Sequence, residues 1–92
     1  MRYNINITTV DYTASTTLMP EKNYGAWLAI NTGTASAFVC GYELQPGEGL
    51  SSDSICQLLP GDVWKSPIQI IINTGAKIRI SRSQATPINE RR

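Results

Sequence analysis

At 92 residues the chain is one domain, without room for two cores. Charged residues make up 16%, below the roughly 25% usual for soluble domains, and Thr, Ser, Asn and Gly fill the gap. The net charge of +1 is unevenly spread, +4 from Lys77 onward and −3 before it, and the lack of histidine removes the commonest general base, the Ser-His-Asp and Cys-His arrangements and most zinc sites.

Tyr3, Ile5 and Ile7 alternate with Asn4, Asn6 and Thr8, a period of two that predicts a first strand. The N-terminal residues lack an apolar signal-peptide core, and no window approaches about 18 apolar residues, so the expectation is a cytoplasmic product with no membrane span. Residues 11–17 are rich in Thr and Ser and predict a second extended segment ending at Leu18 and Met19, before a loop over residues 20–25. Residues 26–30 are apolar on both faces and predict a central strand with Trp27 in the core.

That strand ends in Ile30-Asn31-Thr32-Gly33, and the tetrapeptide recurs as Ile72-Asn73-Thr74-Gly75. Each copy follows an apolar run and precedes a β-rich one (37–44 and 77–80). Asn and Gly tolerate positive φ, and Asn and Thr side chains bond local backbone, so the repeat predicts two β-hairpins. In residues 37–44, Phe38, Cys40, Tyr42 and Leu44 fall on one face of a single strand. Residues 45–49 and 60–62 predict turns, with a loop at 51–54 and a short strand at 55–59 between them. Val63 and Trp64 begin a short strand that Pro67 ends. In the last strand Ile78 and Ile80 face the core, while Lys77, Arg79 and Ser81 face out.

No stretch carries the spacing of an amphipathic helix. Some seven or eight short antiparallel strands predict an all-β sandwich, jelly-roll-like or immunoglobulin-like, over residues 1–82. Residues 83–92 form a basic C-terminal tail expected to be ordered by a partner chain.

The chemistry-bearing residues do not gather. The acids are scattered, mostly in turns, and select no pair for glycoside cleavage. Glu48, Asp53 and Asp62 are a partial metal grouping at best, and Asp53 lacks the context of a calcium loop. Cys40 and Cys56 are expected as reduced thiols, with a disulfide between neighbouring strands as the alternative. No catalytic residue, metal or cofactor is expected, and the chain is read as no enzyme. Lys77, Arg79, Arg82, Arg91 and Arg92 face only Glu90 in their part of the chain, but this basic stretch has no interleaved aromatics, so nucleic acid is not an expected partner. Candidate interface residues are Trp64, Arg79, Arg82 and, in the tail, Ile88, Arg91 and Arg92. Tyr24 and Trp64 are the candidates for an alternative role, an aromatic platform for a sugar ring.

The run from Gly41 to Glu48, then Pro60 to Ile68, then Asn73 to Ile80, resembles small β-sandwich virion proteins of tailed bacteriophages: capsid decoration (cement) proteins, head fibres and tail or neck accessories. The resemblance covers residues 26–82 and is carried by the rhythm of turns between strands. It implies a homo-oligomer, a trimer foremost, bound to a major capsid or other virion protein. The expected function is that of a non-enzymatic virion structural protein, made in the host cytoplasm. The alternative is a carbohydrate-binding β-sandwich module.

Overall fold

Alternating isoleucines set the core. Ile68 and Ile70 are buried on either side of exposed Gln69, and Ile78 and Ile80 on either side of exposed Arg79. A computed structural model describes residues 3–20, 24–56, 58 and 62–87. Among these the chain forms β1 (Tyr3–Tyr12), β2 (Thr16–Leu18), β3 (Tyr24–Asn31), β4 (Ala37–Val39), β5 (Tyr42–Leu44), β6 (Gly49–Ser51), a one-turn helix α1 (Ser52–Ile55), β7 (Ile68–Ile72) and β8 (Ile78–Pro87).

The pairing is nested. β1 pairs with β8, β2 with β7, β3 with β6 and β4 with β5, all antiparallel. Two further pairings, β3 with β8 and β4 with β7, close this folded-over hairpin into two four-stranded sheets, β1-β8-β3-β6 and β2-β7-β4-β5. That is the strand order of a double-sheet jelly roll, so the all-β sandwich expected from the sequence is the fold observed. The core lies between the sheets. Trp27, Ala29, Leu50, Ile78 and Ile80 come from the first, and Ala37, Val39, Leu44, Ile68 and Ile70 from the second. Each fully buried isoleucine contributes about 1.5–3 kcal/mol.

The two Ile-Asn-Thr-Gly segments are not hairpin turns. β3 lies in the first sheet and β4 in the second; β7 lies in the second and β8 in the first. Both segments are therefore corners that carry the chain from one sheet to the other. They also bond to each other. Thr32 N donates to Lys77 O at 2.7 Å and Thr34 N to Gly75 O at 2.8 Å, while Asn73 Nδ2 reaches Ser36 O at 2.9 Å.

The hairpin lies where the sequence predicted one strand. Cys40 (φ 52°) and Gly41 (φ 83°) both sit in the left-handed region and turn β4 back into β5. Two consecutive positive φ values define the tight turn that matches strand twist. Phe38, Cys40, Tyr42 and Leu44 consequently do not share one strand: Leu44 is buried, while Tyr42 is exposed.

Two other expectations change locally. Residues 52–55 form α1, because the Ser51 side chain accepts from Ser54 N and caps the turn; the predicted strand at 55–59 is therefore replaced at its start by helix. Val63 and Trp64 are outside any strand. β8 continues past Arg82 to Pro87, pairing Ser83 with Ile7 and Pro87 with Tyr3, so residues 83–87 belong to the sheet. Ile88, Arg91 and Arg92 lie outside the described residues.

Candidate interaction surface

β3 carries a β-bulge. Its register against β8 shifts between Tyr24 and Trp27. A bulge frees backbone groups from the ladder, and those groups need other partners. Here three segments supply them. Ser52 Oγ accepts from Trp27 N at 2.9 Å, Ser83 Oγ donates to Ala26 O at 3.0 Å, and Trp64 N donates to Tyr24 O at 2.8 Å. Gly25 is required at this crossing, since a Cβ there would lie 2.7 Å from Asp62 O. The bulge thus ties α1, β8 and residues 62–64 to β3.

This is where the predicted aromatic residues meet. Trp64 packs edge-on against Trp27, with centroids 5.4 Å apart and planes at 89°. Such a pair contributes about 0.5–1.5 kcal/mol beyond its burial. The Arg82 guanidinium lies over the Tyr24 ring, 4.2 Å from its centroid. The structure therefore brings Tyr24, Trp64 and Arg82 into one neighbourhood, anchored on Trp27. Both indole N–H groups are buried and have no hydrogen-bond partner among the described residues.

Arg79 belongs elsewhere. It lies on the outer face of the first sheet, opposite Asp11, and donates from Nε to Asp11 Oδ1 at 2.9 Å, with Lys77 Nζ 3.7 Å from Oδ2. That hydrogen bond from Arg79, helped by the nearby Lys77 charge, holds the Asp11 carboxyl below its ordinary value and raises Arg79. Because the folded-state value is the depressed one, the pair stabilises the fold above the unfolded carboxylate pKa of about 3.9, and the gain is lost as pH falls through the lower folded value. Both groups are exposed, so the effect is small and screened by salt. Asp11→Asn is expected to lower the melting temperature slightly near about pH 7 and not near about pH 2. Thermal melts at both pH values, with and without added salt, check this.

Beside the bulge, the outer face of the first sheet holds an open cavity of about 320 Å³. Ala26 and Leu28 line it from β3, Ile7 from β1, and Ser81 and Ser83 from β8; Asp53 of α1 stands at one side. The sequence reading did not single out this surface. Its signal is in β1, where the apolar pattern changes parity. Ile5 and Ile7 are followed not by an apolar residue at 9 but by Val10 and Tyr12. Tyr12 packs on the core, whereas Ile5 and Ile7 point outward and are 53% and 71% exposed.

Cys40 and Cys56 are thiols and are not joined as a disulfide. Cys40 is half-buried, and burial pushes its thiol pKa up; Cys56 is exposed. Among the described residues no three His, Cys, Asp or Glu side chains gather as metal ligands, so Glu48, Asp53 and Asp62 do not meet as one site. No helix among them is long and apolar enough to cross a membrane. Comparison with protein-family models, characterised proteins and solved structures found no match. The class of protein thus rests on strand order and surface: a small jelly-roll sandwich with exposed apolar residues on the outer face of one sheet.

Proposed function

We propose that this chain is a non-enzymatic virion structural protein. It decorates or stabilises a phage capsid, or attaches as a head or tail accessory, through contacts with copies of itself and with a major capsid or other virion protein. The observation that carries this reading is the outer face of the first sheet, where Ile5, Ile7 and Leu28 are exposed together beside the cavity. Exposed apolar groups clustered on one face mark a surface that is covered in use. The jelly-roll order supports the reading by analogy, since this architecture recurs in viral capsid domains, although fold alone does not assign a function.

A second reading has one observation in its favour. The backbone hydrogen bond from Trp64 N to Tyr24 O brings the two aromatic candidates for sugar stacking to neighbouring stretches of chain. Both are already engaged, Trp64 with Trp27 and Tyr24 with Arg82.

Co-sedimentation with purified phage particles separates the two. The structural reading expects saturable binding of the chain to particles and loss of binding on Leu28→Asp, an exposed change that leaves the fold intact. Failure to bind any part of the particle, together with saturable binding to a glycan array, replaces it with the carbohydrate reading.

A further inference from the structure

Sheet edges expose unpaired N–H and C=O groups, and proteins protect them with short strands, lysine, proline or bulges. Among the described residues, three of the four sheet edges, β2, β5 and β6, are strands of three residues each. The fourth is β1, with ten. From Tyr3 to Val10 it carries no charge, no proline and no glycine, and its pairing with β8 is unbroken by a bulge. Residues 4–11 are all exposed, so the strand is bare on its edge and on much of both faces. Its pattern supplies β-branched residues where strand pairing favours them.

We propose that β1 pairs antiparallel with β1 of a second copy of this chain, about a two-fold axis at Ile7, joining two first sheets into one continuous sheet. The pairing rests on the assembly reading above but names its partner and register.

The argument for a second copy is self-complementarity. An open edge accepts only another extended strand, and the other described edge strands of this chain are too short to offer one. A two-fold axis perpendicular to the sheet keeps each face on its own side, as an isologous contact must. With the axis at Ile7, that residue opposes its own mate, Ile5 opposes Thr9 and Asn6 opposes Thr8, all on matching faces. No like charges meet. Moving the axis to Thr8 sets Ile5 against the Asp11 carboxylate, which already holds Arg79 and Lys77. In the Ile7 register Asp11 stands opposite Tyr3, so it directly opposes neither isoleucine. It also runs the outer-face apolar residues of both copies together, so that the cavities flank one patch. The contact closes on itself, giving a dimer where the family resemblance implies a trimer.

Sedimentation equilibrium of the full chain tests this. The expected result is a reversible species of twice the chain mass. Ile7→Lys sets an ammonium opposite its own mate and is expected to weaken the dimer about tenfold or more. Ile7 is exposed in the single chain, so the circular dichroism spectrum of the variant stays that of the wild type. Ile71→Lys, at an exposed isoleucine on the other sheet, leaves the dimer unchanged. A monomer at all concentrations up to about 1 mM, or a dimer unaffected by Ile7→Lys, overturns the proposal. A monomer that still co-sediments with phage particles removes the self-pairing alone, and a dimer that does not co-sediment removes the virion reading alone.

Discussion

Asn31→Ala is expected to remove a large share of the stability of the fold. Asn31 is completely buried at the end of β3 and joins three segments. Its Nδ2 donates to Ala35 O at 2.7 Å and to Leu44 O at 2.9 Å, and its Oδ1 accepts from Gly33 N at 3.0 Å. Its backbone also bonds the link between β5 and β6, donating to Glu48 O at 2.9 Å and accepting from Gly47 N at 2.8 Å. The alanine variant leaves two carbonyls and one N–H without their partner. An unpaired buried group costs about 1–3 kcal/mol, so a loss of about 3–5 kcal/mol is expected. A domain of this size holds roughly 5–14 kcal/mol in total. The urea midpoint should fall by about 2 M or more. Asn31→Asp is expected to be at least as damaging near about pH 7, because a carboxylate has no donor to offer the two carbonyls. Urea melts followed by tryptophan fluorescence check both, and a change in midpoint below about 0.5 M would contradict the role given to this residue.

Gly33→Ala is expected to separate the two corners. A Cβ at Gly33 would lie 2.5 Å from both Gly75 O and Lys77 N and 2.7 Å from Ala76 C. All three are backbone atoms of the opposite corner, so no side chain can swing away. The corners must part, which stretches the bonds from Thr32 and Thr34 that link them. Overpacking together with two weakened hydrogen bonds gives an expected cost of about 3 kcal/mol or more. Gly47→Ala is the matching control. Gly47 has φ 88° but no atom within 4 Å of its Cβ position, so only the backbone term of about 1–2 kcal/mol applies. Thermal melts of the two variants separate crowding from backbone strain. Equal destabilisation would mean that contact between the corners contributes nothing.

These two predictions also show what the sequence could and could not reveal. The repeated Asn-Thr-Gly marks two turns, because Asn and Gly are punctuation wherever they fall. It does not say which sheet the next strand joins, because that depends on pairings tens of residues away. The two copies are alike in sequence and do different work: Asn31 is buried and organises its own corner, whereas Asn73 is exposed and reaches across to Ser36. The turn at Cys40 and Gly41 was hidden because cysteine rarely takes positive φ, and an alternating run reads through it as one strand. The core positions Ile68, Ile70, Ile78 and Ile80 were legible from their period of two. The neighbourhood of Tyr24, Trp64 and Arg82 was visible only as separate candidates, since the bulge in β3 brings them together. The outward face of β1 was written in the parity change after Ile7, but its meaning requires the register with β8.

The parity change also gives β1 two environments along its length. Its end at Tyr12 packs on the sandwich core, and its start leaves Ile5 and Ile7 exposed on the outer face. Amide hydrogen exchange of β1, followed by NMR as protein concentration is raised, tests this most directly. The account predicts that outward-pointing N–H groups between Asn4 and Val10 become protected as the chain associates and lose that protection in Ile7→Lys. If those N–H groups exchange at solvent rates at every concentration, while their neighbours bonded to β8 stay protected, the edge of β1 is not the surface through which this chain meets itself.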